Sequence, residues 1–218
     1  LRLPPILFSH FFGPLNTGLY ALSDRIMTLP MSLIGASIAQ VFRIHGLDAK
    51  KEGNLSLLVN NLHFILAQFS LPIMGLVLLT GPDLFGLIFG AKWRESGTIA
   101  SILSPWVYLS LLTSPLSSLF GINKQEKKSF RFHFITLISR LLAIVLGIKS
   151  GDFMTTLIYF SAAGIITRIF LLYTLTEKYN NGIIDIFKPT YEAILPSILI
   201  LTPLLIYYSG RFLYSDFS

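Results

Sequence analysis

Cysteine is absent from the 218 residues, which excludes a disulfide framework, a thiolate metal site and a cysteine nucleophile. Charge is scarce: 13% of residues are Asp, Glu, Lys or Arg, against about 25% in an ordinary soluble domain. No basic leader with a cleavage site precedes the first apolar run and the first residue is Leu1, so the chain reads as truncated at its start, with no signal peptide visible. What is present is apolar. Hydrophobic residues make up 53% of the chain, more than a globular fold of this size can bury, and a bilayer is the solvent that fits. The net charge of +6 sits in short clusters between apolar runs, the layout of charge that fixes membrane topology, and not that of a nucleic-acid surface.

A hydrocarbon core of about 30 Å takes about 20 residues of helix. On that measure the chain predicts one partial span, residues 3–12 ending at Gly13-Pro14, and five complete ones at about 19–42, 55–80, 98–121, 132–148 and 153–176. A seventh segment covers residues 193–208. Connections are short and no polar domain intervenes. The expected fold is an all-α integral membrane bundle, one transmembrane domain over residues 1–218, with 43–54 and 81–97 as the longest loops. Phe85, Ile88, Phe89 and Trp93 mark the second loop as an interfacial segment. The loops after spans two, four and six carry Arg43, Lys50, Lys51, Lys124, Lys127, Lys128, Arg131, Lys178 and Lys188, whereas the alternate loops carry Lys92, Arg94, Lys149 and Arg211. By the positive-inside rule the first set is cytoplasmic.

Charges within spans are expensive, about 2.5–3.5 kcal/mol at the bilayer centre on the mildest scale. Arg140 lies midway along its span, roughly 13 Å from either end at 1.5 Å per residue, and shares a polar stripe with His133 and Thr136. It reads either as a cavity-facing cation for an anionic substrate or as an arginine satisfied between helices. Arg168, in a stripe with Ser161 and Gly164, lies nearer the cytoplasmic end, where snorkelling is cheap. Asp24 and Arg25 point about 100° apart on one helix. Asp24 continues through Thr28, Ser32, Ala36 and Gln40 as a small, polar face, while Arg25 reaches either substrate or headgroups. His63, Asn60, Asn61 and Gln68 read as interhelical hydrogen-bonding groups or, less simply, as a proton relay. Pro30, Pro72, Pro105, Pro115 and Pro196 fall inside apolar helices and permit kinks. The serines of span four, with Gly35 and Ala39, allow close helix approach.

Two stretches carry a resemblance: GLYALSDRIMTLPMSLIGASIAQVF at 18–42, and GPDLFGLIFGAKWRESGTIASILSPW at 81–106 followed by SPLSSLFGINKQ at 114–125. In order and spacing they resemble the polysaccharide (O-antigen type) flippases of the multidrug/oligosaccharidyl-lipid/polysaccharide exporter superfamily, over about residues 3–176. The resemblance implies a MATE-like transporter of two pseudo-symmetric bundles, of which this chain holds most of the second. It implies a multi-pass protein of the bacterial inner membrane that carries a polyprenyl-pyrophosphate-linked oligosaccharide outward by alternating access. Its partners are that lipid-linked substrate, membrane lipids and other polysaccharide-assembly proteins. No cofactor is implied beyond a coupling proton or sodium ion. Substrate-binding candidates are Arg140, Arg25, Asp24, Arg168 and His133. Two other readings stand beside it: a cation-coupled multidrug exporter, which wants embedded carboxylates where only Asp24 is present, and a polytopic polysaccharide polymerase, which wants larger extramembrane loops. No catalytic constellation is visible, and the expectation is a transporter and not an enzyme.

Overall fold

The computed structural model describes residues 3–179 and 183–215, without the side chains of 30–34, 183–184 and 204–215. Pro30, Ser32 and Arg211 therefore lie outside the described side chains. The described residues form seven α-helices and no strand: α1 (Leu3–Glu52), α2 (Leu55–Phe89), α3 (Arg94–Leu116), α4 (Leu119–Ile122), α5 (Glu126–Ser150), α6 (Phe153–Thr176) and α7 (Ile183–Ser215). Four helical stretches, Leu55–Phe89, Ala91–Ile122, Glu126–Ser150 and Phe153–Thr176, are long and apolar enough to cross a membrane. With Leu87, Phe69, Leu195 and Ile166 among the apolar side chains turned outward, the surface is that of an all-α bundle solvated by lipid.

The break expected at Gly13-Pro14 is present. Gly13 leaves the helical region with φ +82°, a conformation glycine adopts without Cβ strain, and Pro14 has no N–H to donate. Asn16 Nδ2 donates to the Phe12 carbonyl and Thr17 Oγ1 to that of Gly13, at 3.0 and 2.9 Å. In a continuous helix Phe8 and Tyr20 would stand about 18 Å apart along the axis, yet their ring centroids are 4.9 Å apart. The chain folds back at Gly13.

Two expected loops are helical instead. Residues 43–52 continue α1, because Ala, Leu, Lys and Glu there are sound helix formers. Lys50 Nζ, moreover, donates to the carbonyl of Ile122 at 2.7 Å. Gly53, at φ +79°, ends the helix, with the Asn54 N–H donating back to Ala49. Residues 81–89 continue α2 through Pro82, and only Gly90 (φ +98°) and a 3₁₀ turn at Ala91–Trp93 separate it from α3. Phe85 is accordingly buried in the core and not interfacial, while Leu87 and Ile88 face outward. Asp83 forms an ion pair with Arg94 across this turn.

The most thoroughly buried helix is α3, which packs against α1, α2 and α6. Small side chains let it do so. Gly81 and Gly97 bring the backbones of α2 and α3 together with no space for a Cβ on either, and Ser101 Oγ donates to the Val77 carbonyl at 2.8 Å. Ser23 Oγ of α1 donates to Ser96 O at 2.6 Å, and Ser161 Oγ of α6 to Ile102 O at 2.8 Å. Between α5 and α6 a two-residue turn suffices: Gly151, left-handed at φ +72°, closes α5, and Asp152 caps α6 by accepting from the Thr155 N–H at 2.7 Å.

Candidate functional site

Around Arg140 three helices bring together groups far apart in sequence. Its guanidinium carbon lies 4.2 Å from the centroid of the Trp106 ring on α3 and 5.0 Å from that of Phe160 on α6. The two rings meet edge to face at 5.7 Å. Gly164 makes this packing possible, since a Cβ there would come within 2.6 Å of the Trp106 ring. Spacing explains the assembly. Trp106, Ser110 and Thr113 recur at i, i+4 and i+7 on one face of α3, and Phe160, Gly164 and Arg168 at i, i+4 and i+8 on α6.

Arg168 is half-buried, and its Nη1 donates to Thr113 Oγ1 at 3.2 Å. The two arginines lie within electrostatic reach of one another. From α1, Tyr20 and Asp24 interact with each other and face Arg140 electrostatically. Asp24 thus faces Arg140, and Arg140 in turn faces Arg168.

The hydrogen-bonding balance is uneven. Arg140 Nε and Nη2, Arg168 Nε, Trp106 Nε1 and Ser110 Oγ are buried with no partner among the described residues. All but the last are pure donors. A buried donor left unmade costs about 1–3 kcal/mol, more when charged, so a concentration of them on facing helices describes a place for an acceptor. An anionic oxygen cluster is the acceptor that matches guanidinium forks.

The structure thus brings Arg140, Arg168 and Asp24 within electrostatic reach, whereas Arg25 and His133 are exposed. His133 is exposed two turns from Arg140 and lines a cavity of about 490 Å³ with Arg43 and Ser118. Thr136, expected in the arginine stripe, spends its hydroxyl on the carbonyl of Phe132 at 2.9 Å, and Thr28 does the same toward Asp24 at 2.6 Å. Of the α2 polar groups, His63 does not show the interhelical bond expected of it: it is buried with Nε2 unpartnered among the described residues. Sequence reasoning missed Tyr20, Trp106 and Phe160. A tryptophan whose N–H must find an acceptor, four residues from Ser110 in an uncharged span, was the available signal.

The helices and their cationic centre define a membrane protein of the all-α class. Residues 2–98, a little under half of the chain, match the family model described as polysaccharide biosynthesis protein. Over those residues the chain is similar to polysaccharide biosynthesis proteins. No curated protein and no solved structure matches the chain.

Proposed function

We propose that this chain is part of an inner-membrane carrier, and not an enzyme, which moves a polyprenyl-pyrophosphate-linked oligosaccharide from the cytoplasmic to the outer leaflet by alternating access. The observation that carries the reading is the set of unpartnered donors on Arg140, Arg168, Trp106 and Ser110. A pyrophosphate offers several anionic oxygens, and each charge-assisted hydrogen bond is worth about 1.5–3 kcal/mol net. Arg140 would take the pyrophosphate in its planar fork, with Trp106 and Phe160 holding the guanidinium in place. Arg168 supplies the second charge. Asp24 is the resident counter-anion, displaced or neutralised when substrate arrives, and so it is the group at which a coupling proton or sodium ion would act. Residues 2–98 add the family-level support for polysaccharide precursors as cargo.

A drug exporter would use Asp24 as a free carboxylate for a cation, but Arg140 already faces it. A polymerase would need extramembrane loops, and α1 and α2 run on as helices through both stretches that could have formed them. The test is Arg140→Ala combined with Arg168→Ala in the full-length protein. Surface polysaccharide should disappear while the protein remains in the membrane at its normal level. Unchanged polysaccharide would end the assignment.

A further inference from the structure

A second cavity, of about 550 Å³, shares no residue with the arginine cluster. Its size is within the range of roughly 300–1,000 Å³ typical of small-molecule sites. It opens between the first turns of α2 and of α7, at the end of the bundle that carries the basic connections. Asn60 and Asn61 come from α2, Asp185 from α7, and none of the three has a hydrogen-bond partner among the described residues. Each amide offers two donors and an acceptor, and the carboxylate accepts on both oxygens.

Two aromatic rings, Phe64 and Tyr179, also line it. Tyr179 is anchored from two other elements: its hydroxyl accepts from Asn123 Nδ2 at 2.9 Å, and its carbonyl from Ser56 Oγ at 3.3 Å. The remaining charges are Lys188 and Glu192, which pair at 3.9 Å. Among the described residues, the lining therefore sets one cation against two carboxylates.

We propose that this cavity binds a pyranose ring, neutral or amino-substituted, of the glycan portion of the substrate. A sugar presents hydroxyls that both donate and accept, which is what paired amides and a carboxylate satisfy. It also presents an apolar face of C–H bonds, which a flat aromatic ring covers. A phosphate would meet two carboxylates for one exposed lysine among the described residues, so this pocket and the arginine cluster divide the chemistry of one lipid-linked glycan. The inference rests on the transport reading above. On the positive-inside orientation the cavity lies at the cytoplasmic end, where the glycan stands before translocation.

The experiment uses the full-length protein in lipid nanodiscs, with two separate probes. Saturation-transfer NMR reads the binding of free glucose, galactose and N-acetylglucosamine, and ³¹P line broadening reads inorganic pyrophosphate. Transfer to at least one sugar is expected in the unsubstituted protein. It should be lost in Asn61→Leu and in Asp185→Ala, and retained in Arg140→Ala. Pyrophosphate broadening should show the opposite pattern, and its persistence in the two pocket variants shows that they are folded. Absence of transfer to all three sugars, or transfer unchanged in both pocket variants, overturns the proposal. Sugar transfer that depends on Asn61 and Asp185, with no pyrophosphate broadening in any form, upholds the pocket and defeats the arginine site instead.

Discussion

Arg140 and Trp106 meet with the guanidinium carbon 4.2 Å from the indole centroid, a separation at which the negative face of the ring attracts the cation. Contacts of this kind are worth about 0.5–2 kcal/mol, rising as they are desolvated. Trp106 is therefore a positioning residue: it holds the guanidinium while leaving the Nε and Nη2 hydrogens unengaged.

Replacing Trp106 by Phe keeps an aromatic face, and replacing it by Leu removes it. If the contact is felt in the rate-limiting step, Trp106→Leu should slow transport roughly 2- to 30-fold, as about 0.5–2 kcal/mol implies. Trp106→Phe should fall between it and the unsubstituted protein. Glycan translocation in proteoliposomes measures this, and equal rates for Phe and Leu would show that the aromatic face of residue 106 contributes nothing to transport.

Gly164 supplies the room for that ring. In Gly164→Ala the added methyl carbon would lie 2.6 Å from Trp106 Cδ1, and overpacking of this kind costs about 1–3 kcal/mol. The melting temperature in detergent should fall, and transport with it. Gly121→Ala is the control: a Cβ there meets nothing within 4 Å, and both properties should be unchanged.

Much of this architecture was legible in sequence, because lipid forces long apolar runs and glycines with positive φ mark their ends. The fold-back at Gly13, the span of α6 and the midpoint position of Arg140 all follow from such local signals. Residues 43–52 and 81–89 read as loops because charges and glycines interrupt their apolar pattern, yet helix propensity carries α1 and α2 through them. The pairing of Arg140 with Trp106 was not legible, since it joins α3 to α5 and depends on Gly164 of α6. The cavity beside Asn60 needed the start of α7 packed against α2, which no local pattern specifies.

Asp152 provides a pH test outside the spans. Hydrogen bonding to Thr155 holds its carboxyl below the ordinary carboxylate range. A group whose folded pKa is depressed contributes stability that is complete above the unfolded pKa, near 3.9 for Asp, and is lost as pH falls through the folded value. At neutral pH Asp152→Ala should melt lower than Asp152→Asn, which keeps an acceptor for the Thr155 N–H. The advantage of the native residue over Asn should shrink below about pH 4. A difference that grows on acidification would contradict this account of the cap.

The central claim is that Arg140 receives the anionic head of the lipid-linked substrate. It is tested most directly by equilibrium binding of a polyprenyl pyrophosphate to the full-length protein in nanodiscs. Arg140→Ala should weaken binding about tenfold or more, equivalent to at least 1.4 kcal/mol, and Arg140→Lys, which lacks the fork, should fall between. Arg25→Ala should bind as the unsubstituted protein does, since the Arg25 side chain is exposed. Unchanged affinity in Arg140→Ala would contradict the account.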